Sequence, residues 1–213
     1  MKAFSATEGS RIVGDLVTVI TGNRDYLSEV DGAIGDGDHG INMAKGFAMC
    51  GELLKGREVP LAEALDTLAN TLMGSIGGSM GPLYGSLFMG MADAVRGAAQ
   101  VDVDLFGKLL RGGLDSLQTV SDAKVGDKCL MDTLVPAVEA YEAAGAGSAS
   151  FDEALGAMAE AAERGKESTR DLVARIGRAS RLGERSRGAL DAGAVSCYLI
   201  LDQLRKTVVS LLT

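Results

Sequence analysis

Leu61-Ala-Glu-Ala-Leu-Asp-Thr-Leu-Ala-Asn-Thr-Leu72 sets Leu61, Ala64, Leu65, Leu68, Ala69 and Leu72 three or four positions apart, with acidic and amide side chains between them. That spacing gathers the apolar groups on one face of a helix, and it does not show the two-residue alternation of a strand. The same stripe recurs on both sides. Ile12, Val13, Leu16, Val17 and Ile20 form one toward the N-terminus, and Leu105, Leu109, Leu110, Leu114 and Leu117 another beyond it. Further helices are predicted near 41–56, 84–98, 132–144, 151–170 and 193–210, with the small-residue stretch Ala143 to Ser150 as a loop between two of them. Aromatics make up 4% of the chain and the only prolines are Pro60, Pro82 and Pro136. An all-α bundle of about eight helices accounts for this pattern. No internal repeat is visible.

Composition limits the setting. With 213 residues, 46% of them hydrophobic, the chain can bury a full core as one domain spanning 1–213. A net charge of -8 and a pI near 4.7 disfavour nucleic acid and anionic membrane as partners. Cys50, Cys129 and Cys197 are odd in number and widely spaced, which fits neither a disulfide framework nor a zinc site and points to a reducing cytoplasm. Residues 1–10 lack a signal-peptide apolar core, and the apolar runs 83–95 and 194–201 are too short to span a bilayer, so a soluble, unexported protein is expected.

The chemistry concentrates in Asp31-Gly-Ala-Ile-Gly-Asp36-Gly-Asp38-His39-Gly40. Carboxylates set this closely repel one another unless a cation lies among them, and the glycines leave the turn free to fold around it. Hard oxygen donors in such a group suit Mg2+, which keeps coordination positions open for nucleotide phosphates. A solvated turn with Asp38 capping the next helix is the plainer alternative. An EF-hand does not fit, because the twelfth position counted from Asp36 is Phe47 where a bidentate glutamate is required. His39 is the only histidine in the chain.

Two further segments are compatible with phosphate. Gly74-Ser-Ile-Gly-Gly-Ser-Met-Gly-Pro-Leu-Tyr-Gly85 lets backbone amides approach an anion, with Pro82 near a helix start, although its glycines would equally permit close helix crossing. Neither a P-loop nor a dinucleotide fingerprint is present. Arg178, Arg181, Arg185 and Arg187 gather within ten positions of an otherwise acidic chain; guanidinium forks match phosphate oxygens, and some of these groups have Glu184 or Asp191 as competing partners.

The run Ile34-Gly-Asp-Gly-Asp-His-Gly-Ile-Asn-Met with Gly46-Phe47, the Gly77–Gly85 segment, Gly126-Asp-Lys128 followed by Asp132, Gly177-Arg-Ala-Ser, Leu182-Gly-Glu-Arg-Ser and Asp191-Ala-Gly together resemble the nucleotide-binding L subunit of dihydroxyacetone kinases, nearly end to end. The resemblance implies an antiparallel barrel of eight helices whose loops at one end hold ADP or ATP through two Mg2+ ions. It implies Asp31, Asp36 and Asp38 as metal ligands, and His39, Gly40, Ile41, Asn42, Ser79, Met80, Ser121, Leu130, Arg178, Asp191, Ala192 and Gly193 at the nucleotide. Arg178 would also offset charge on the transferring phosphoryl group. The chain departs from the family's pattern at Ser121, Leu130 and Ala192, where glycine, methionine and proline are common.

The same resemblance implies half an enzyme. The sugar would be held by a separate K-type subunit, as an adduct on a histidine that this chain does not contain, with dihydroxyacetone or a related ketose such as erythrulose as acceptor. The donor would be ATP as an exchanging substrate, or a bound ADP recharged by a phosphotransferase-system protein. Two other functions are compatible with the residues: a regulatory nucleotide sensor that binds a transcriptional regulator and transfers nothing, and the nucleotide module of a fatty-acid kinase system.

Overall fold

The computed structural model describes residues 2–147 and 149–212. Among the described residues there are nine α-helices: α1 (Gly9–Gly22), α2 (Arg24–Gly32), α3 (His39–Leu54), α4 (Leu61–Ser75), α5 (Met80–Ala94), α6 (Val103–Gln118), α7 (Met131–Ala146), α8 (Phe151–Ser168) and α9 (Ala192–Leu211). Helix α1 packs on α3, each helix from α3 to α8 packs on the next in sequence, and α9 returns to α1. Eight helices therefore close a ring, with the short α2 set against α3 and α9. Leu16, Ile20, Met43, Phe47, Leu68, Phe88, Leu110, Leu134, Leu155 and Ile200 fill its interior, all buried. Phe47 meets Phe88 edge-on with ring centroids 6.0 Å apart, a geometry that favours the ring quadrupoles.

Alternate connections fall at opposite ends. The links before α3, α5, α7 and α9 all line one cavity, so these four helices begin at the same end of the barrel. At the other end, a three-residue strand β1 (Ala3–Ser5) pairs antiparallel with β2 (Gln100–Asp102), Phe4 opposite Val101, and Phe4 packs on Phe151. The all-α bundle of about eight helices read from the stripes, and the antiparallel barrel implied by the family resemblance, are the fold observed.

The differences are local. Helix α2 has no stripe to announce it, because only Leu27 of its nine residues is buried. The two strands are too short for alternation to register. Helix α7 runs on to Ala146 into the stretch expected as a loop, of which Ser148 lies outside the described residues. Helix α8 then opens on a complete capping box, with Ser150 accepting from the Glu153 amide and the Glu153 carboxylate accepting from the Ser150 amide at 2.8 Å.

Candidate metal and nucleotide site

Asp31 closes the last turn of α2, and Asp36 and Asp38 follow in the turn that leads into α3. The turn is drawn tight by the Ile34 and Gly35 amides, which donate to the Asp31 carbonyl at 3.1 and 2.5 Å. A Cβ at position 35 would lie 2.9 Å from the Asp31 carbonyl oxygen and would displace the Asp31 carboxylate, 2.5 Å away. One carboxylate oxygen from each of Asp31, Asp36 and Asp38 comes within 4.8 Å of the others. Asp38 is the N-cap residue of α3 but its side chain does not cap the helix, which leaves that carboxylate available to a ligand. Three hard oxygen donors with facing open space fit Mg2+. Across the cleft, the Arg178 guanidinium forms an ion pair with Asp36.

The carboxylates line a cavity of about 410 Å³ shared with four other segments: Gly77 to Met80, Ser121 to Leu130, Ile176 to Ala179, and Asp191 to Gly193. Helices α3, α5, α7 and α9 begin at His39, Met80, Met131 and Ala192, so four positive dipole ends are presented at this end of the barrel, with part of their first-turn N–H groups taken up by local bonds such as the Ala194 amide on Asp191. Such an end suits an anion even in a chain of net charge -8. Of the residues expected at the nucleotide, His39, Asn42, Ser79, Met80, Ser121, Leu130, Arg178, Asp191, Ala192 and Gly193 all border the cavity. Gly40 and Ile41 do not. Gly40 is buried against α2, and Ile41 is 57% exposed.

Beneath the cavity lies a hydrogen-bonded group that no local motif announced. The Ser196 hydroxyl lies 2.9 Å from His39 Nε2 and 2.6 Å from the Tyr84 hydroxyl, and both hydroxyls reach the Gly193 carbonyl, at 3.2 and 3.1 Å. His39 is thereby fixed at the root of α3 by a residue on α9, 157 positions away. Tyr84 stands in the Gly74–Gly85 segment, which was read for its glycines, and Ser196 is an ordinary core position by sequence. Nothing local tied either to the lone histidine.

Burial holds the His39 imidazole down at about 4, against the pull of Asp31, while burial raises the Asp191 carboxyl to about 7, opposed by the Ala194 amide that donates to it at 2.7 Å. The two shifts have opposite consequences for folding. As pH falls from 6.5 toward 4, the unfolded chain protonates its histidine and the folded one does not, so stability is lost. As pH falls from 7 toward 4, folded Asp191 takes up a proton that the unfolded chain, with its ordinary value of 3.8, does not, so stability is gained. In metal-free protein the two contributions offset each other across most of this window. Asp191→Asn, which keeps the helix cap, is expected to expose the histidine alone: urea unfolding at pH 7 and pH 5 then shows a clear loss at the lower pH, and His39→Gln shows a gain.

The DAK2 domain matches residues 33–206 of this sequence. The chain belongs to the DAK2 domain family. Among similar DAK2 proteins is "PEP-dependent dihydroxyacetone kinase 2, ADP-binding subunit DhaL" of Listeria innocua, 37% identical over 92% of this chain and 94% of the relative. The corresponding DhaL subunit of Escherichia coli is 36% identical over 84% of this chain and 86% of the relative. An L-erythrulose kinase of Pectobacterium atrosepticum is 30% identical over 86% of this chain, which spans only 32% of that longer protein. The structure of the C. freundii dihydroxyacetone kinase in complex with AMP-PNP and Mg2+ shares the fold, with a TM-score of 0.68 at 23% identity, over 93% of this chain and 33% of that one. Among the described residues, no helix is long and apolar enough to cross a membrane. All three cysteines are free and buried.

Proposed function

We propose that this DAK2 chain, as one L-type unit over residues 1–213, is the nucleotide-binding subunit of a cytoplasmic dihydroxyacetone kinase. It holds ADP or ATP with two Mg2+ ions and serves a K-type subunit that carries the ketose. The observation that carries this reading is the convergence of three carboxylates and four helix N-termini on one cavity. The DhaL relatives, named as ADP-binding subunits of PEP-dependent kinases, support it over nearly their whole length.

Asp31, Asp36 and Asp38 would hold the metal, which when bound neutralises phosphate charge and orients the group to be transferred. The rest falls to the chain. Those first-turn amides of the four helices that have no acceptor of their own receive phosphate oxygens, and Ser79, whose side chain makes no cap bond, is free to donate to one. Arg178 gives up Asp36 for the phosphoryl group and offsets charge as it moves. The apolar wall of Leu83, Leu130 and Ile176 gives the base a surface to lie on. The one histidine, His39, is buried with Nε2 2.9 Å from Ser196 Oγ, and the ketose is assigned to the partner. Dihydroxyacetone is the expected acceptor, with erythrulose as the related ketose.

The test is purification followed by assay for bound nucleotide, then phosphoryl transfer to dihydroxyacetone with a K-type subunit, supplied either with ATP or with a phosphorylated phosphotransferase-system protein. ADP that copurifies and resists exchange marks a cofactor recharged in place; free exchange with ATP marks a co-substrate. Absence of adenine nucleotide binding, with and without Mg2+, overturns the proposal.

A further inference from the structure

Gly126-Asp-Lys128, one of the runs that carry the resemblance, brings a lysine to the cavity wall, yet its ammonium is spent elsewhere. An ammonium has three N–H donors. At Lys128 all three meet carbonyls: Thr169 and Ala189 at 2.6 Å each, and Leu172 at 3.3 Å. The residue is 2% exposed, and no donor is left for a phosphate. Those carbonyls stand at the two roots of the segment between α8 and α9, residues 169–191, which carries Arg178 and ends in Asp191.

That segment has little core of its own. Between residues 170 and 190 only Ala174 and Ser186 are buried. It is tied to itself by the Gly188 amide on the Arg170 carbonyl at 2.8 Å and the Ala174 amide on Ser186 Oγ at 2.9 Å. It is tied to the barrel through the 126–128 turn, where Lys128 is joined by the Arg175 amide on the Asp127 carbonyl at 3.1 Å. The turn itself is held in an unfavourable shape. Lys128 has φ of 63°, and among the described residues it is the one non-glycine in the left-handed region. Such strain persists where the surroundings over-determine it. Here the Asp132 carboxylate accepts from the Gly126 amide at 2.5 Å and the Cys129 amide at 2.7 Å, locking the turn on both sides of the lysine.

We propose that Lys128 is a positioning residue whose buried ammonium clamps both roots of the 169–191 segment and so holds Arg178 and Asp191 over the carboxylate cluster. The link to Arg178 rests on the nucleotide reading above; the clamp itself does not. Lys128→Met removes the ammonium and keeps an apolar stem, and Lys128→Gln is the milder change that keeps a donor.

Two measurements separate the parts. Trypsin cuts after arginine, so cleavage at Arg175, Arg181 and Arg185, followed by mass spectrometry on nucleotide-free protein, reports opening of the segment. It is expected to be about tenfold or more faster in Lys128→Met, the loss of one charge-assisted hydrogen bond being enough, with the helices still protected. Calorimetry with MgADP then completes a double-mutant cycle with Arg178→Gln. Lys128→Met weakens binding about tenfold in the parent chain and much less once Arg178 is gone, as coupled residues do. Unchanged cleavage overturns the proposal, and so does full additivity in the cycle. Loss of the fold in both lysine variants overturns it too, by making Lys128 a prop of the whole barrel. If the parent chain ignores MgADP, the nucleotide reading falls while cleavage still decides the clamp.

Discussion

Asp36→Ala is expected to weaken Mg2+-dependent binding of ADP by roughly a hundredfold or more, on the order of 3 kcal/mol, the scale of losing a charged ligand oxygen from a three-carboxylate site. Asp36 is the most exposed of the three carboxylates and the one that engages Arg178, so it serves two charges in turn. Without metal the sign reverses. In EDTA the Asp36 carboxylate occupies Arg178 and repels phosphate, and its removal is expected to leave ADP binding unchanged or up to about fivefold tighter. The gain stays small because both side chains are about half exposed and such pairs contribute no more than about 1 kcal/mol. Calorimetric titrations of ADP into both proteins, with MgCl2 and with EDTA, read the crossover. A variant that retains the parent's Mg2+ dependence would remove Asp36 from the metal site.

How much of this was legible beforehand depends on sequence distance. The helices with a buried stripe, such as α4 and α6, declare themselves within one window, because burial and periodicity are the same fact. Helix α2 buries one residue and stays silent. Asp31, Asp36 and Asp38 lie within eight positions, so their mutual repulsion can be inferred from the chain alone. Arg178 was one of a cluster of four arginines until the family resemblance picked it out, and its partner Asp36 is 142 positions away, so nothing local predicts the pair. The same holds for Ser196 and Tyr84 under His39, and for Lys128, whose three carbonyl partners lie 41 to 61 positions away. Gly40 and Ile41 illustrate the reverse. They sit in the same run as His39 and Asn42, but a helix turns about 100° per residue, so positions 39 and 42 share the cavity face while 40 and 41 point elsewhere. What those two can still offer is their amides, in the first turn of α3.

Gly40 has a different task, and Gly40→Ala is expected to damage stability and metal binding together. A Cβ at this position would strike the Arg24 carbonyl and lie 2.6 Å from Ser28 Oγ and 2.7 Å from the Ser28 amide nitrogen. Two of these three are main-chain atoms of α2, which no side-chain rotation can clear, so the helix itself must move. Overpacking of this kind costs about 1–3 kcal/mol, or roughly 3–10 °C in melting temperature for a domain of this size. Truncating Ser28 does not relieve it, because the Arg24 carbonyl remains. Since α2 carries Asp31 at its end and α3 begins beside Asp38, prising the two helices apart also widens the carboxylate group, and Mg2+-dependent ADP affinity falls with the melting temperature. Ile41→Ala supplies the contrast: one residue on, exposed and outside the cavity lining, it is expected to shift stability by less than about 0.5 kcal/mol and to leave MgADP binding intact. Thermal unfolding and calorimetry on the two variants side by side make the distinction, and a Gly40→Ala protein as stable and as tight-binding as the parent would show that α2 yields where its backbone leaves no room.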